Sequence, residues 1–339
     1  MKNSKNLKLL IGVLISAVAV WFAVQGINFN QVGDSLGRLN YGLVLLSFIP
    51  YGIALIMKVT RWQLLFYPGP KITLGRLWST LMMSYLFNTV LPARLGEVVR
   101  AYALSRSENI GPVRVLSTIL LEKILDVMTM FIFLVALLPF LDISSDFRNA
   151  AFFTGGLVVS AFVVCLLMAA FRKQAEILIK WFLKFLPTKI ADKLYGFVSE
   201  ILDVLGVLLN FKLSLNLWAQ SIFQWTLVIA NYMILGWALG IPLTFELAML
   251  LMITLNLGMA VPSAPGYIGV FEALVKAALT PFFPGQDSLL LTFGLLLHVL
   301  GFLPVIIFGA IASAREGVTL GKIPTIPPDR LTPSDIKAN

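Results

Sequence analysis

Two short stretches of this sequence combine helix-breaking residues with charges. The first reads Asn88-Thr-Val-Leu-Pro92-Ala-Arg94-Leu-Gly96-Glu97-Val-Val-Arg100, the second Val261-Pro262-Ser-Ala-Pro265-Gly266-Tyr-Ile-Gly269-Val-Phe-Glu272. In each, an apolar run meets P-x-x-x-G and then a new helix start. Proline lacks the amide donor and clashes with the preceding turn, so the helix must stop. Glycine supplies the backbone freedom to reverse direction. The N-terminus of the helix that follows presents a positive dipole end, which favours an anionic group such as a phosphate. Arg94, Glu97 and Arg100 are spaced by three and should line one side of the returning helix. The plainer alternative is a pair of kinked helices tuned for packing.

Other charges sit inside apolar runs. Glu122 and Asp126 are one turn apart with Lys123 between them, so the two carboxylates share a helix face. Glu272 and Lys276 are spaced i, i+4 in the favourable order and could pair. Each ionised group at the bilayer centre costs about 2.5–3.5 kcal/mol on insertion scales, so such groups need partners or a function. They could neutralise one another as structural ion pairs. They could instead line a polar pocket that holds a charged headgroup and relays a proton. The mixture of signs suits a zwitterionic or mixed-charge ligand without choosing one. His298 is the single histidine, placed to make an interhelical hydrogen bond more readily than a relay. Cys165, the single cysteine, excludes an internal disulfide and reads as a buried or lipid-facing thiol. There is no phosphate-binding G-x-x-x-x-G-K-[ST] loop, no H-E-x-x-H and no Cys/His ligand cluster. No cofactor, metal or nucleic-acid partner is expected.

The elements that carry these residues are membrane helices. The chain has 339 residues, 58% hydrophobic and only 13% charged, far too little charge for a water-soluble domain of that length. Full spans are expected at about 7–25, 41–58, 113–140, 150–171, 213–239 and 289–314, where apolar runs approach the ~20 residues that cross a bilayer core. The first follows Lys2, Lys5 and Lys8 like a signal peptide, yet its apolar run continues past Trp21 and Val24 and reads as a retained span. Two further apolar segments, 77–91 and 247–262, are shorter and end at the two breaks. If both crossed fully, the basic residues of 92–114 (Arg94, Arg100, Arg106, Arg114) and of 172–212 (Arg172, Lys173, Lys180, Lys184, Lys189, Lys193, Lys212) would fall on the outer face. If each turns back, every basic cluster is cytoplasmic, including Lys58, Arg61, Lys71 and Arg76 in 58–76, and so are both termini. The expected architecture is an all-α polytopic protein with about six full spans and two re-entrant hairpins. One hairpin (about 77–106) enters from the cytoplasm and the other (about 247–282) from the outer face, an inverted-repeat pattern around a midplane site. The membrane domain would cover 1–314. An amphipathic stretch at about 172–212, broken near Pro187, would lie on the cytoplasmic lipid surface. A flexible cytoplasmic tail would follow over 315–339.

In combination, Pro92-x-Arg94-x-Gly96-Glu97-x-x-Arg100, Glu122-x-x-x-Asp126 and Pro262-x-x-Pro265-Gly266-x-x-Gly269-x-x-Glu272 resemble the lysylphosphatidylglycerol synthase transmembrane family. This is the flippase-like membrane region of the bacterial multiple peptide resistance factor. The likeness runs over about 7–315. It implies a helical bundle around a polar cavity that moves aminoacylated phosphatidylglycerol between leaflets. It marks Arg94, Glu97, Arg100, Glu122, Asp126, Glu272 and Lys276 as candidate headgroup-binding positions, and Pro92, Gly96, Pro262, Pro265, Gly266 and Gly269 as candidate gating breaks. No soluble aminoacyl-transfer domain is present in this sequence, so the lipid need not be lysylated. The expected function is lipid translocation in the cytoplasmic membrane, without enzymatic activity. The alternatives are a secondary transporter of a small anionic or amphiphilic solute, and an accessory partner of an envelope-lipid-synthesising enzyme.

Overall fold

A computed structural model describes residues 29–90, 95–140, 145–260 and 265–316, and among these every regular element is helical. The first predicted span (7–25), the tail beyond 316, and the break residues Pro92, Arg94 and Pro262 lie outside the described residues. A short helix α1 (Phe29–Gly37) leads into α2 (Tyr41–Leu64), α3 (Leu74–Val90), α4 (Gly96–Glu108) and α5 (Pro112–Leu137). Then follow α6 (Ser145–Ala170), α7 (Arg172–Leu183), α8 (Thr188–Leu205) and α9 (Phe211–Ala238). The chain continues as α10 (Phe245–Gly258), α11 (Val270–Leu279) and α12 (Asp287–Glu316). Five stretches are long and apolar enough to cross a membrane: Tyr41–Leu64, Pro112–Phe140, Phe152–Ala170, Phe211–Ala238 and Asp287–Glu316. The protein is an all-α, multi-pass membrane protein.

Local chemistry starts these helices where the sequence places polar caps. Asn40, Asn210 and Thr244 accept from the backbone N–H three residues on, opening α2, α9 and α10. Proline occupies the first turn of α5, where its missing donor costs nothing. Lengths then separate two kinds of helix. The five candidate spans have 24, 29, 19, 28 and 30 residues. Helices α3, α4, α10 and α11 have 17, 13, 14 and 10. At ~1.5 Å per residue, these four reach about 15–25 Å, short of the ~30 Å hydrocarbon core.

Interhelical polar bonds fix the packing, as expected where lipid supplies no competing water. Asn231 on α9 donates to Ser47 O (2.9 Å) on α2, and Thr60 on α2 donates to Gln220 on α9 (2.9 Å). Tyr51 on α2 donates to Gly301 O on α12 (2.7 Å). Arg76, at the start of α3, pairs with Glu108 at the end of α4 (3.3 Å) and with Glu316 at the end of α12. The turn between α3 and α4 closes on Gly96, whose N–H donates to Asn88 Oδ1 (2.8 Å). A Cβ at Gly96 would stand 1.9 Å from Ser84 O, so only glycine lets the two helices lie this close.

One feature differs from the sequence reading. Helix α2 does not end at 58; it continues to Leu64, and Lys58 and Arg61 are buried inside it rather than placed in a loop. Their desolvation is offset by carboxylates facing them from α5. The 172–212 stretch is a helical hairpin that turns near Pro187, stapled where Arg172 bonds Glu176 (2.9 Å), Ser199 (3.1 Å) and Asp203. Helix α8 turns Leu202, Val204 and Leu205 inward, while α7 leaves Ile177, Trp181 and Phe182 exposed, as is Phe185 in the turn after it.

Candidate headgroup site

Side chains from α2, α4 and α5 build a buried ionic cluster. Lys58 and Arg61, three apart on α2, face Glu122 and Asp126, four apart on α5, so two helix faces carrying opposite charge meet. Lys58 Nζ lies 3.1 Å from Glu122 Oε1 and 3.2 Å from Asp126 Oδ2. Arg61 Nη2 lies 2.6 Å from Asp126 Oδ1, and Arg61 Nη1 donates to Ser221 Oγ on α9 (2.6 Å). From α4, Arg100 Nη2 reaches Glu122 Oε2 (2.9 Å). One turn earlier on that helix, Glu97 pairs with Lys123 (3.1 Å). The predicted spacing of Glu97 and Arg100 thus becomes two rungs between α4 and α5.

Arg61 and Glu122 are fully buried and Arg100 nearly so. Ions taken that far from water are costly unless paired, and here Arg61 Nε and Arg100 Nε still lack a hydrogen-bond partner. Trp225 Nε1 donates to Asp126 Oδ1 (3.2 Å), and Trp62 Nε1 donates to Thr118 (3.0 Å). The Arg100 guanidinium carbon lies over Trp62, 3.5 Å from the ring centroid, a desolvated cation–π contact.

A second polar constellation surrounds the other break. Gly266 and Gly269 both take positive φ (72° and 82°), the left-handed backbone that side chains disfavour. Pro265–Tyr267 makes a single 3-10 turn before α11. Glu272 Oε2 accepts from Gly269 N–H (2.8 Å), capping the start of α11, and Oε1 lies 2.6 Å from His298 Nδ1 on α12. The other histidine nitrogen, Nε2, lies 2.8 Å from Gly266 O. Both ring nitrogens therefore face acceptors. Lys276 points elsewhere, reaching Asp287 at the start of α12 (3.2 Å).

Between these features lies a cavity of about 400 Å³, within the ~300–1,000 Å³ range of small-ligand sites. Its charged lining is Lys58, Glu97, Lys123 and Asp126. Both breaks border it: Asn88 and Thr89 end α3, and Met259, Ala260 and Tyr267 flank the second. Arg100 and Glu122 support the cluster without lining the cavity. Two lining residues, Val127 on α5 and Leu257 on α10, are also exposed apolar side chains.

The sequence profile of the family described as the lysylphosphatidylglycerol synthase transmembrane region matches residues 9–309. The chain belongs to this family. Among curated relatives of this lysylphosphatidylglycerol synthase transmembrane chain, glycosyltransferase AglD of Haloferax volcanii is 23% identical over 317 residues. That match covers 83% of this chain and 50% of the relative, so the chain spans half the length of AglD. The UPF0104 membrane protein PH1989 of Pyrococcus horikoshii is 24% identical over 295 residues, covering 80% of this chain and 86% of that protein.

Of the positions singled out from sequence, the fold brings Glu97, Arg100, Glu122 and Asp126 into one cluster. Glu272 joins Gly266 and Gly269 at the second break. Missed in the sequence were Lys58, Arg61, Trp62, Ser221, Gln224 and Trp225. Lys58 and Arg61 did carry a signal: with Ser47 and Ala54 they follow helical spacing on one stripe of the preceding span, and all four are buried.

Proposed function

We propose that this protein is a lipid translocase whose cavity takes a polar headgroup while the acyl chains remain in the bilayer. The observation that carries this reading is the composition of the cavity wall. Paired charges line its interior, while Val127 and Leu257 combine lining with exposure. On a membrane-embedded surface such an apolar border meets acyl chains, so a headgroup can enter sideways. A carrier for a soluble ion needs no such border. Family membership supports a role in membrane-lipid biology.

In this reading α3–α4 and α10–α11 are re-entrant hairpins entering from opposite faces of the cytoplasmic membrane. Each helix of the two is shorter than the hydrocarbon core, and unwound backbone, as at 266–269, is tolerated only beside a cavity. Both termini and the α7–α8 hairpin are then cytoplasmic, with Trp181 of α7 and Phe185 in the turn after it in the lipid interface near Lys180 and Lys184. We assign no enzymatic step to the site. Glu122 and Asp126 are each held by two cations, which suits fixed charge rather than proton transfer.

The test is reconstitution of the purified chain in vesicles with acyl-labelled fluorescent phospholipids, followed by dithionite quenching. Accelerated loss of protection in wild type, slowed in Glu272→Gln, is the expected result. Failure of the folded protein to accelerate any lipid above empty vesicles overturns the reading. A second reading, an accessory partner of an envelope-lipid enzyme, is favoured by the Haloferax relative. That protein is named a glycosyltransferase, and this chain matches only half of it. Translocation by the purified chain alone would exclude it.

A further inference from the structure

We infer that the cavity selects a singly anionic lipid phosphodiester whose remaining headgroup is uncharged and bears hydroxyls, an inference that rests on the translocase reading. Charge sets the first constraint. Among the described residues the cluster joins four cations, Lys58, Arg61, Arg100 and Lys123, to three carboxylates, Glu97, Glu122 and Asp126. One positive charge is left over, and Lys58 and Lys123 bring it to the cavity wall. Neither Glu272 nor His298 lines the cavity. A ligand carrying one negative charge completes the cluster. A zwitterionic headgroup brings an ammonium for which no carboxylate remains, and a lysylated headgroup brings more positive than negative charge.

Hydrogen bonding sets the second constraint. Gln224, on α9, is 3% exposed and lines the cavity beside Trp225, yet its Oε1 has no hydrogen-bond partner. A buried amide oxygen without a donor is a standing cost, removed when a ligand supplies an O–H. The neighbouring polar lining from Asn256, Tyr51 and Tyr85 is uncharged. Amide and phenol groups beside an indole ring suit hydroxyls and C–H faces rather than a second charged group. The donor that Gln224 lacks is therefore a hydroxyl of the headgroup.

Both constraints are read from the wild-type protein by varying the lipid. In proteoliposomes, four acyl-labelled lipids are compared: phosphatidylglycerol, phosphatidylmethanol, phosphatidylethanolamine and lysyl-phosphatidylglycerol. Phosphatidylglycerol is expected to move about tenfold faster than each of the others, the scale of one buried polar mismatch. Equal or faster movement of phosphatidylethanolamine or lysyl-phosphatidylglycerol overturns the charge assignment and leaves the translocase reading standing. Phosphatidylmethanol matching phosphatidylglycerol overturns the hydroxyl assignment. Gln224→Leu should erase the difference between those two monoanionic lipids, and a difference that survives in it overturns the role of Gln224. No movement of any lipid removes the translocase reading and this inference with it. Entry of the deacylated diester glycerophosphoglycerol into the vesicles, without lipid movement, keeps the ligand chemistry and overturns the lipid as its source.

Discussion

Replacing Asp126 by asparagine keeps the side chain's shape and removes one of three negative charges from a cluster that already carries a positive surplus. The carboxylate holds Arg61 at 2.6 Å, Lys58 at 3.2 Å and the Trp225 indole at 3.2 Å. Asparagine can still offer one oxygen to Arg61 and Trp225, but it turns an amide donor toward the Lys58 ammonium. At an effective dielectric of about 20, a single contact near 3.2 Å is worth about 5 kcal/mol of Coulomb attraction, much of it offset by desolvation. Removal of one partner from a buried pair typically costs about 3–5 kcal/mol, because the other charge stays buried without compensation. Asp126→Asn should therefore lose about 3–5 kcal/mol. Lys58→Met should cost less, since Arg61 and Arg100 still hold Asp126 and Glu122. The double variant restores the original balance of one surplus cation and should recover about 2 kcal/mol relative to Asp126→Asn alone. Reversible unfolding in mixed SDS micelles, followed by far-UV circular dichroism, measures all three. If the two single costs add to within about 0.5 kcal/mol in the double variant, the groups are energetically independent, and the view of the cluster as one shared charge system fails.

Four further expectations use other parts of the fold. Gly96→Ala should destabilise by about 1–3 kcal/mol through overpacking, because its Cβ would meet Ser84 O at 1.9 Å; Gly156→Ala, with open space around it, is the neutral control in the same thermal unfolding assay. Glu200 on α8, outside the five candidate spans, has its carboxyl pulled above the usual range mainly by burial, and its Oε2 lacks a partner. The folded state therefore holds that proton more tightly than the unfolded chain, so stability falls as pH rises through this range. Glu200→Gln should stabilise at pH 7, and the advantage should shrink on acidification through the carboxylate range. For topology, in a Cys165→Ser background, cysteines at Lys71 and Arg106 should be labelled from one face and those at Pro242 and Gln286 from the other; a split within either pair refutes a re-entrant hairpin. His298→Phe should keep the ring packed between Phe271 and Phe302, whose centroids lie 4.7 and 4.5 Å away. It loses both polar contacts, so hydrogen exchange should rise at 265–270, and unchanged exchange there would show that His298 does not hold the break.

Much of this arrangement is legible in the residue order. The second P-x-x-x-G break ends an apolar run abruptly, and α10 does stop at Gly258. The four-residue spacing of Glu122 and Asp126 sets both on one face. What the spacing cannot supply is the partner. Counting charges by loop assigned Lys58 and Arg61 to the cytoplasm, because an apolar average falls wherever two basic residues occur, whether or not the helix continues. Only the meeting of α2 with α5 shows them paired inside. The same holds for Glu272: its local geometry suggested Lys276, four residues on, but the short contact is to His298, 26 residues away on another helix. Tertiary partners outcompeted a local ion pair because a buried carboxylate gains more from a close donor than from a flexible lysine that has Asp287 within reach.

The two polar constellations differ in kind, and that difference constrains how they work together. The α2–α4–α5 cluster is built of charges that hold each other fixed, so it offers an electrostatic seat of constant sign. The Glu272–His298 pair instead ties the second break to α12 through two short contacts, one to the carboxylate and one to Gly266 O. The contact to Gly266 O is the weaker of the two, since the other partner is a carboxyl group. Helix α12 is in turn tied to α2 through Tyr51 and Gly301 O, and α2 carries Lys58 two turns beyond Tyr51. A change at the second break thus reaches the charged seat through one packed helix and one hydrogen bond. The two ends of the cavity are thereby joined through α12 and α2 without touching each other.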